Sequence, residues 1–518
     1  MSHRSRGCLR CRQRRVKCDR SRPSCQRCIA RNELCVGYRD EGDLMFQHET
    51  EKVVFRSLTT SSTSGSVSTN SSPRDHRTRS RSVERASESS FSSTASLNLP
   101  TAFPWLKDQS NTKTPSEDEQ AADLFMGKYV LLPCNESSSP GFLEHLPCLF
   151  KEVNVQGRCA LRWAVQACAF ADLSREQSPE ELVKRSLECY GHALSALGQS
   201  LAEKGKTPDD YDLMTTVMLD IFETLFMPDS FMTGSHTQGM AHILRLRGHD
   251  QFYEPRGWGL FRLAHHRIQK QQLAKQMDPL PESQDWLEAL NDNMASVKLE
   301  KDGLAITNIC QQANRLLQSL DTANISCDQV LDLVDEMLHL DHEATLWRRK
   351  PEWAFRTLPR SEISGNHKAD FWLPETIQLH PDLWMAYEWN YHRTARIILH
   401  QKLVACLKRV VGESSQTKQI SHNRIVESIN IVQSLASEVL STVLQSFGDI
   451  DHLGRCHLGL EPARWQAVGA YLLLWPIKII KSSNGLTTES QKADAQRVFE
   501  RIRECTGMKS GLGDLSEI

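Results

Sequence analysis

The sequence predicts a small metal-stabilised head at 1–40, a disordered linker at 41–115 and a large all-α body at 116–518. Three observations lead there. Six cysteines crowd into 28 residues, at gaps of two, six, six, two and six, a density that suits ligands rather than core. Ser and Thr fill 22 of the 40 positions from 57 to 96, too little apolar surface to offset chain entropy. From Ser116 onward apolar residues recur at helical spacing behind capping signals, and alternating strand patterns are nearly absent.

The head comes first. Its cysteines fall into two similar halves, Cys8, Cys11, Cys18 and Cys25, Cys28, Cys35. Zinc bound by thiolates takes four ligands. Two zinc ions therefore need eight ligand positions, which six cysteines fill only if two of them each bind both metals. Two separate four-cysteine sites are two ligands short, and a disulfide knot needs an oxidising compartment. The first residues are polar and Arg-rich, with no secretory signal, and the other ten cysteines are scattered singly, which points to a reducing compartment. A segment this small buries no core, so metal binding supplies most of its folding free energy.

The pattern C-x2-C-x6-C-x6-C-x2-C-x6-C, with RQRRVK between the second and third cysteines and Pro23 in the following loop, resembles the fungal binuclear zinc cluster. That family is the DNA-binding module of a large class of fungal transcription regulators. The resemblance implies two short helices with loops around two zinc ions. It implies Cys8 and Cys25 as bridging ligands, Cys11 and Cys18 completing one metal site, and Cys28 and Cys35 completing the other. It also implies a nuclear regulator of RNA polymerase II genes that docks its first helix in the major groove of double-stranded DNA at a CGG-like triplet.

Charge agrees with a polyanionic partner. Residues 1–40 hold twelve Arg or Lys against three Asp or Glu, a net +9, and the other 478 residues carry −11. On a short helix Arg10, Arg14 and Lys17 share a face. Arg14 and Arg15 are the candidates for base contact, because a guanidinium can donate two hydrogen bonds to guanine O6 and N7. Lys is common in the family at the position held by Arg15. Arg12, Lys17 and Arg27 suit phosphates, which give affinity and salt dependence without sequence choice. Without the cysteines the same charges would read as a solvated face or an import signal. Residues 36–56 show no sustained heptads, so a zipper is not expected, and any homodimer would form through the helical body.

The linker contains PRDHRTRSRSVER, with Arg74, Arg77, Arg79, Arg81 and Arg85 interleaved with serines. This suits a second import signal or a phosphorylation-tuned DNA contact, and equally a solvated spacer.

In the body, Ser116 with Glu119 forms a capping box, and Ser178, Pro179 and Glu181 form another. Tyr190, Leu194, Leu197 and Leu201 make one apolar stripe. Thr207 and Pro208 open a helix on which Met214, Val217, Met218, Ile221 and Leu225 share a face. Two long helices are expected over 382–411 and 423–447. The apolar run 467–480 contains Pro476 and Lys478 and is too short for a membrane. Cys168 and Cys189 read as small core residues. The stretches 159–175, 212–226, 236–252, 259–268 and 388–401 are similar to the fungal-specific regulatory domain that accompanies this cluster in one group of regulators. The resemblance implies packed helices that sense an effector or partner rather than a catalyst.

No P-loop, GxGxxG after a strand, HExxH or GxSxG motif occurs in the sequence. His236, His242, His265 and His266 lack the i, i+4 spacing beside a carboxylate that a zinc site on a helix uses. In RLRG at 245–248, Gly248 is expected to end a helix with its arginines exposed or paired. Trp384, Tyr387, Trp389 and Tyr391 suit either core or a ligand pocket. The function expected is a zinc-dependent, sequence-specific DNA-binding transcription regulator. The rivals are an interaction adaptor whose cluster does not read DNA, and an enzyme with an appended zinc module.

Overall fold

A computed structural model describes Cys18, Arg31 and most of residues 116–508. Contacts divide the chain into two units, 1–96 and 97–518, and every helix described below belongs to the second. The predicted linker at 41–115 lies outside the described residues.

Helix α1 (Glu117–Tyr129) starts where the capping box was read. Ser116 accepts the Glu119 N–H, and the Glu119 carboxylate accepts the Ser116 N–H. A cap of this kind stabilises by about 1 kcal/mol. Helices α2 (Leu146–Gln156) and α3 (Cys159–Leu173) follow, then α4 (Pro179–Ala202). Helix α3 is covered on nearly every side, with Cys168 fully buried. Burial pushes the Cys168 thiol well up and the Cys189 thiol up to about 11, so both are inert, as expected of core cysteines. At its end Asp172 pairs with Lys128 (2.7 Å), and Arg175 donates to the carbonyls of Glu504 (2.5 Å) and Cys505 (2.7 Å).

The stripe read on α4 needs correction. Leu194 and Leu201 are 39% and 40% exposed, and with Leu187 they form an outward row; Cys189, Ala193 and Leu197 are the buried ones. Helix α4 packs closely on α3, and two of its most buried residues, Cys189 and Ala193, are small, as close helix packing favours. Leu197 is buried and Tyr190 packs half-buried on the core as expected, so size-weighted periodicity misplaced only Leu194 and Leu201. Ser178 lies outside the described residues.

Helix α5 (Asp210–Phe226) buries the expected face of Met214, Val217, Met218, Ile221 and Leu225. Its cap is Asp209 rather than Thr207. Asp209 accepts the N–H groups of Tyr211 and Asp212, and Asp212 reciprocates. A carboxylate at this point also suits the positive end of the helix dipole. Helix α6 (Ser235–Arg247) ends at Gly248, whose φ of 62° few other residues adopt cheaply. Helix α7 (Pro255–Lys275) opens with Pro at its first position and runs through the interior. Helices α8 (Ser283–Glu288), α9 (Ala295–Ser319) and α10 (Cys327–Leu346) follow.

The body is not purely helical. Strand β1 (Arg356–Pro359) pairs antiparallel with β2 (Thr376–Leu379), in the register Arg356 to Leu379. Four-residue strands carry too few positions for a period of two to stand out. The hairpin covers a small second core of Ile363, Leu373, Ile377, Leu379, Leu444 and Ile450.

Helices α11 (Leu383–Val410) and α12 (Ser415–Ser441) are the two long helices expected, with α12 starting eight residues earlier than read. A short α13 (Val443–Ser446) leads to α14 (Gln466–Ser482) and α15 (Glu489–Thr506). The apolar run 467–480 is α14, buried along its whole length in the protein's own core. Gly469 is required there, since a Cβ would overlap the Ser446 carbonyl oxygen of α13. Among the described residues no helix is long and apolar enough to cross a membrane. Successive helices pack as pairs, α3 on α4, α11 on α12 and α14 on α15, and α11 also meets α9, α10 and α14.

Candidate functional site

Of the six candidate metal ligands only Cys18 is described, and it is half-buried. Cys8, Cys11, Cys25, Cys28 and Cys35 lie outside the described residues. So do the DNA-contact candidates Arg10, Arg12, Arg14, Arg15, Lys17 and Arg27. The donor set is six thiols with no histidine at ligand spacing. Soft thiolates select zinc-like metals, and six of them serve two tetrahedral ions only by sharing, so the residues fit a two-zinc group.

In the body the polar chemistry gathers at a cleft where α5, α7, α9, α11 and α14 converge with the segment 141–145. It holds about 650 Å³ of space, counting its open mouth. A neighbouring recess of about 580 Å³ shares Arg267, Lys270 and Tyr471 with it. Helix α7 supplies a row at spacing four, Arg262, His266 and Lys270, all lining the cleft. Leu143, also in the wall, holds a φ of 53°, a strained backbone for a branched side chain.

The cleft's charges are mostly paired. His266 is pinned between Glu300 (Nδ1 to Oε1, 2.5 Å) and the Tyr387 hydroxyl (Nε2 to O, 2.6 Å). Burial alone would raise Glu300, but His266 and His265 beside it hold its carboxyl down to about 2. Burial pushes His266 down against the pull of Glu300. The arrangement these directions support is a neutral imidazole that donates Nδ1–H to a carboxylate and accepts the Tyr387 O–H. Gln269 ties this group to the backbone by donating to the Glu300 carbonyl (2.8 Å) and accepting from Tyr391 (2.9 Å).

Arg267 pairs with Asp220 (Nε to Oδ2, 3.0 Å) and donates to the Tyr471 hydroxyl (2.6 Å). Arg262 reaches Glu144 at 3.4 Å. Lys270 differs. Among the described residues it forms no ion pair or hydrogen bond, and its amine stands 6.0 Å from the Tyr471 ring centre. Burial, reinforced by the charge of Arg267, pushes it down to about 7.

The other histidines are ordinary. His236 meets Glu223 (2.8 Å), His265 meets Ser283 (3.0 Å), and His242 is exposed. No group of three or more His, Cys, Asp or Glu placed to hold a metal occurs among the described residues. The arginines of RLRG are paired, Arg245 with Glu282 and Arg247 with Asp210. The aromatic helix splits. Trp384 and Tyr387 line the cleft, whereas Trp389 donates to the Trp353 carbonyl and Tyr391 packs on Trp475.

Sequence reading did not single out Lys270, Glu300 or the Asp220–Arg267 pair. The one available signal was the row of basic residues at spacing four along α7, itself a polar helix that is buried over most of its length. The convergence of five helices has no trace in local pattern.

No curated protein and no solved structure matches the chain. A family model does, over residues 6–43, and it spans all six cysteines and the basic run between the second and third. Residues 6–43 are a Fungal Zn(2)-Cys(6) binuclear cluster domain, the two-zinc, DNA-binding module of fungal transcription regulators.

Proposed function

We propose that the protein is a nuclear, sequence-specific regulator of RNA polymerase II genes that reads a CGG-like triplet in double-stranded DNA. The observation that carries this reading is the complete six-cysteine spacing, with RQRRVK in place, inside the matched segment 6–43. Cys8 and Cys25 bridge the two zinc ions. Arg14 and Arg15 contact bases, Arg12, Lys17 and Arg27 hold phosphates, and Arg10 adds to the DNA-binding face. The region 41–115 gives the head reach, and the body at 116–518 receives a signal or a partner and provides any homodimer contact.

The test is selection from random duplex DNA with the zinc-loaded full chain and with residues 1–115. Enrichment of a CGG-like triplet supports the reading. One copy means a monomeric reader. Two copies at fixed spacing, found only with the full chain, place the dimer contact in the body. No enrichment from a correctly metallated head sinks the reading in favour of an adaptor.

A further inference from the structure

The cleft and its neighbouring recess meet at three residues, Arg267, Lys270 and Tyr471, the first two from α7 and the third from α14. Two hydrogen-bond donors converge there without a described acceptor. Tyr471 accepts from Arg267, so its own O–H proton remains to be given away. Lys270 lines both spaces and has no ion pair among the described residues. The one carboxylate whose charge reaches Lys270, Asp220, makes no ion pair with it and is hydrogen-bonded by Arg267. Glu300 is engaged by His266 and Glu144 by Arg262, while Glu388 lends its charge to Arg262. Around the donors the wall is apolar and partly aromatic, with Phe142, Leu263, Leu299, Trp384 and Leu472.

We propose that this cleft binds a small organic carboxylate with an apolar, aromatic-sized body. Its carboxylate sits on the Lys270 ammonium and the Tyr471 hydroxyl, and its body fills the apolar wall. An inorganic anion would leave that wall wet, and a neutral apolar molecule would leave the half-buried Lys270 amine without an ion-paired counter-charge. The position of Lys270 explains the polarity of the match. Burial makes its charged form costly, and an arriving carboxylate removes that cost, so binding and protonation favour each other. This deepens the proposed sensing role of the body and rests on it only for its regulatory consequence. Binding is read without DNA, so a head that fails to read DNA leaves the test intact.

The experiment is isothermal calorimetry on the zinc-loaded full chain with 1-naphthoate and with its uncharged counterpart, 1-naphthamide. The expected result is saturable binding of one naphthoate per chain, with naphthamide at least tenfold weaker. Lys270→Met should weaken naphthoate at least tenfold and leave naphthamide unchanged, and Lys270→Arg should keep the preference for the acid. Removing an amine that has no ion pair leaves no charge stranded, so the melting curve of Lys270→Met should match the wild type. If Lys270→Met nevertheless unfolds, the wild-type acid-to-amide ratio and Lys270→Arg decide. Failure of naphthoate to saturate, equal binding of acid and amide, or full naphthoate affinity in folded Lys270→Met would each overturn the proposal.

Discussion

Residues 6–43 match a two-zinc cluster domain with six cysteines at fixed spacing; in the helical body the core runs through every helix from α1 to α15. A fold held by a few ligands is written in their spacing and is lost with one of them. A fold held by many contacts is written diffusely and yields by degrees. Substitutions that target each kind of encoding sharpen the contrast.

The largest effect belongs to the head. Cys8→Ser or Cys25→Ser should release both zinc ions and abolish DNA binding, while the body keeps its helical circular dichroism. Native mass spectrometry checks this, and a variant that keeps one zinc contradicts the bridging assignment. Chelation of the wild type should do the same.

Next is a site where the body is nearly as intolerant. Gly469→Ala forces a methyl group against the Ser446 carbonyl and should cost about 3 kcal/mol, near the top of the usual overpacking range. Denaturant titration reads it, and zinc content should not change. A loss below about 1 kcal/mol would mean that α13 and α14 can separate freely.

The buried pair Glu300 and His266 gives a pH signature. The folded carboxyl is depressed from 4.5 to about 2, so its contribution to stability is present above about pH 4.5 and is lost as pH falls toward 2. Glu300→Gln should therefore lower the melting temperature at neutral pH, and its gap from the wild type should close across that window. A gap constant with pH would sink the assignment of an ionised Glu300.

Smaller still, Arg15→Ala should relax the triplet preference by about tenfold at one base, as loss of a bidentate guanine contact does. An equal fall on all sequences would make Arg15 a phosphate contact. Last, Ser116→Ala should cost about 1 kcal/mol by removing the α1 cap, measurable as a shift in the body's denaturation midpoint alone.

Legibility followed the same division. The head was readable because each ligand has a fixed chemical identity and its spacing survives in one dimension. In the body, local signals did well where local physics decides. The Ser116 box, the buried face of α5 and the long α11 came through. They did poorly where a neighbour decides. Leu194 and Leu201 are apolar yet turn outward, while the smaller Cys189 and Ala193 take the buried face of α4. The β1–β2 hairpin was missed for want of length. Trp384 and Tyr387 gave a hint of the cleft, but Lys270, Glu300 and Tyr471 lie on three other helices and left no local signal.

Arg175 carries one more consequence. Its guanidinium grips the last carbonyls of α15 from a position 330 residues earlier in the chain. During synthesis, at roughly 5–20 residues per second, the end of α3 therefore waits roughly 15–65 s for its partner to be made. The apolar α14 is made near the close of that interval and stays uncovered on its α15 side for only roughly 1–5 s more. The nascent body therefore keeps apolar surface open until α15 leaves the ribosome, and a message cut short before α15 should yield an unstable chain, open to chaperones and proteases.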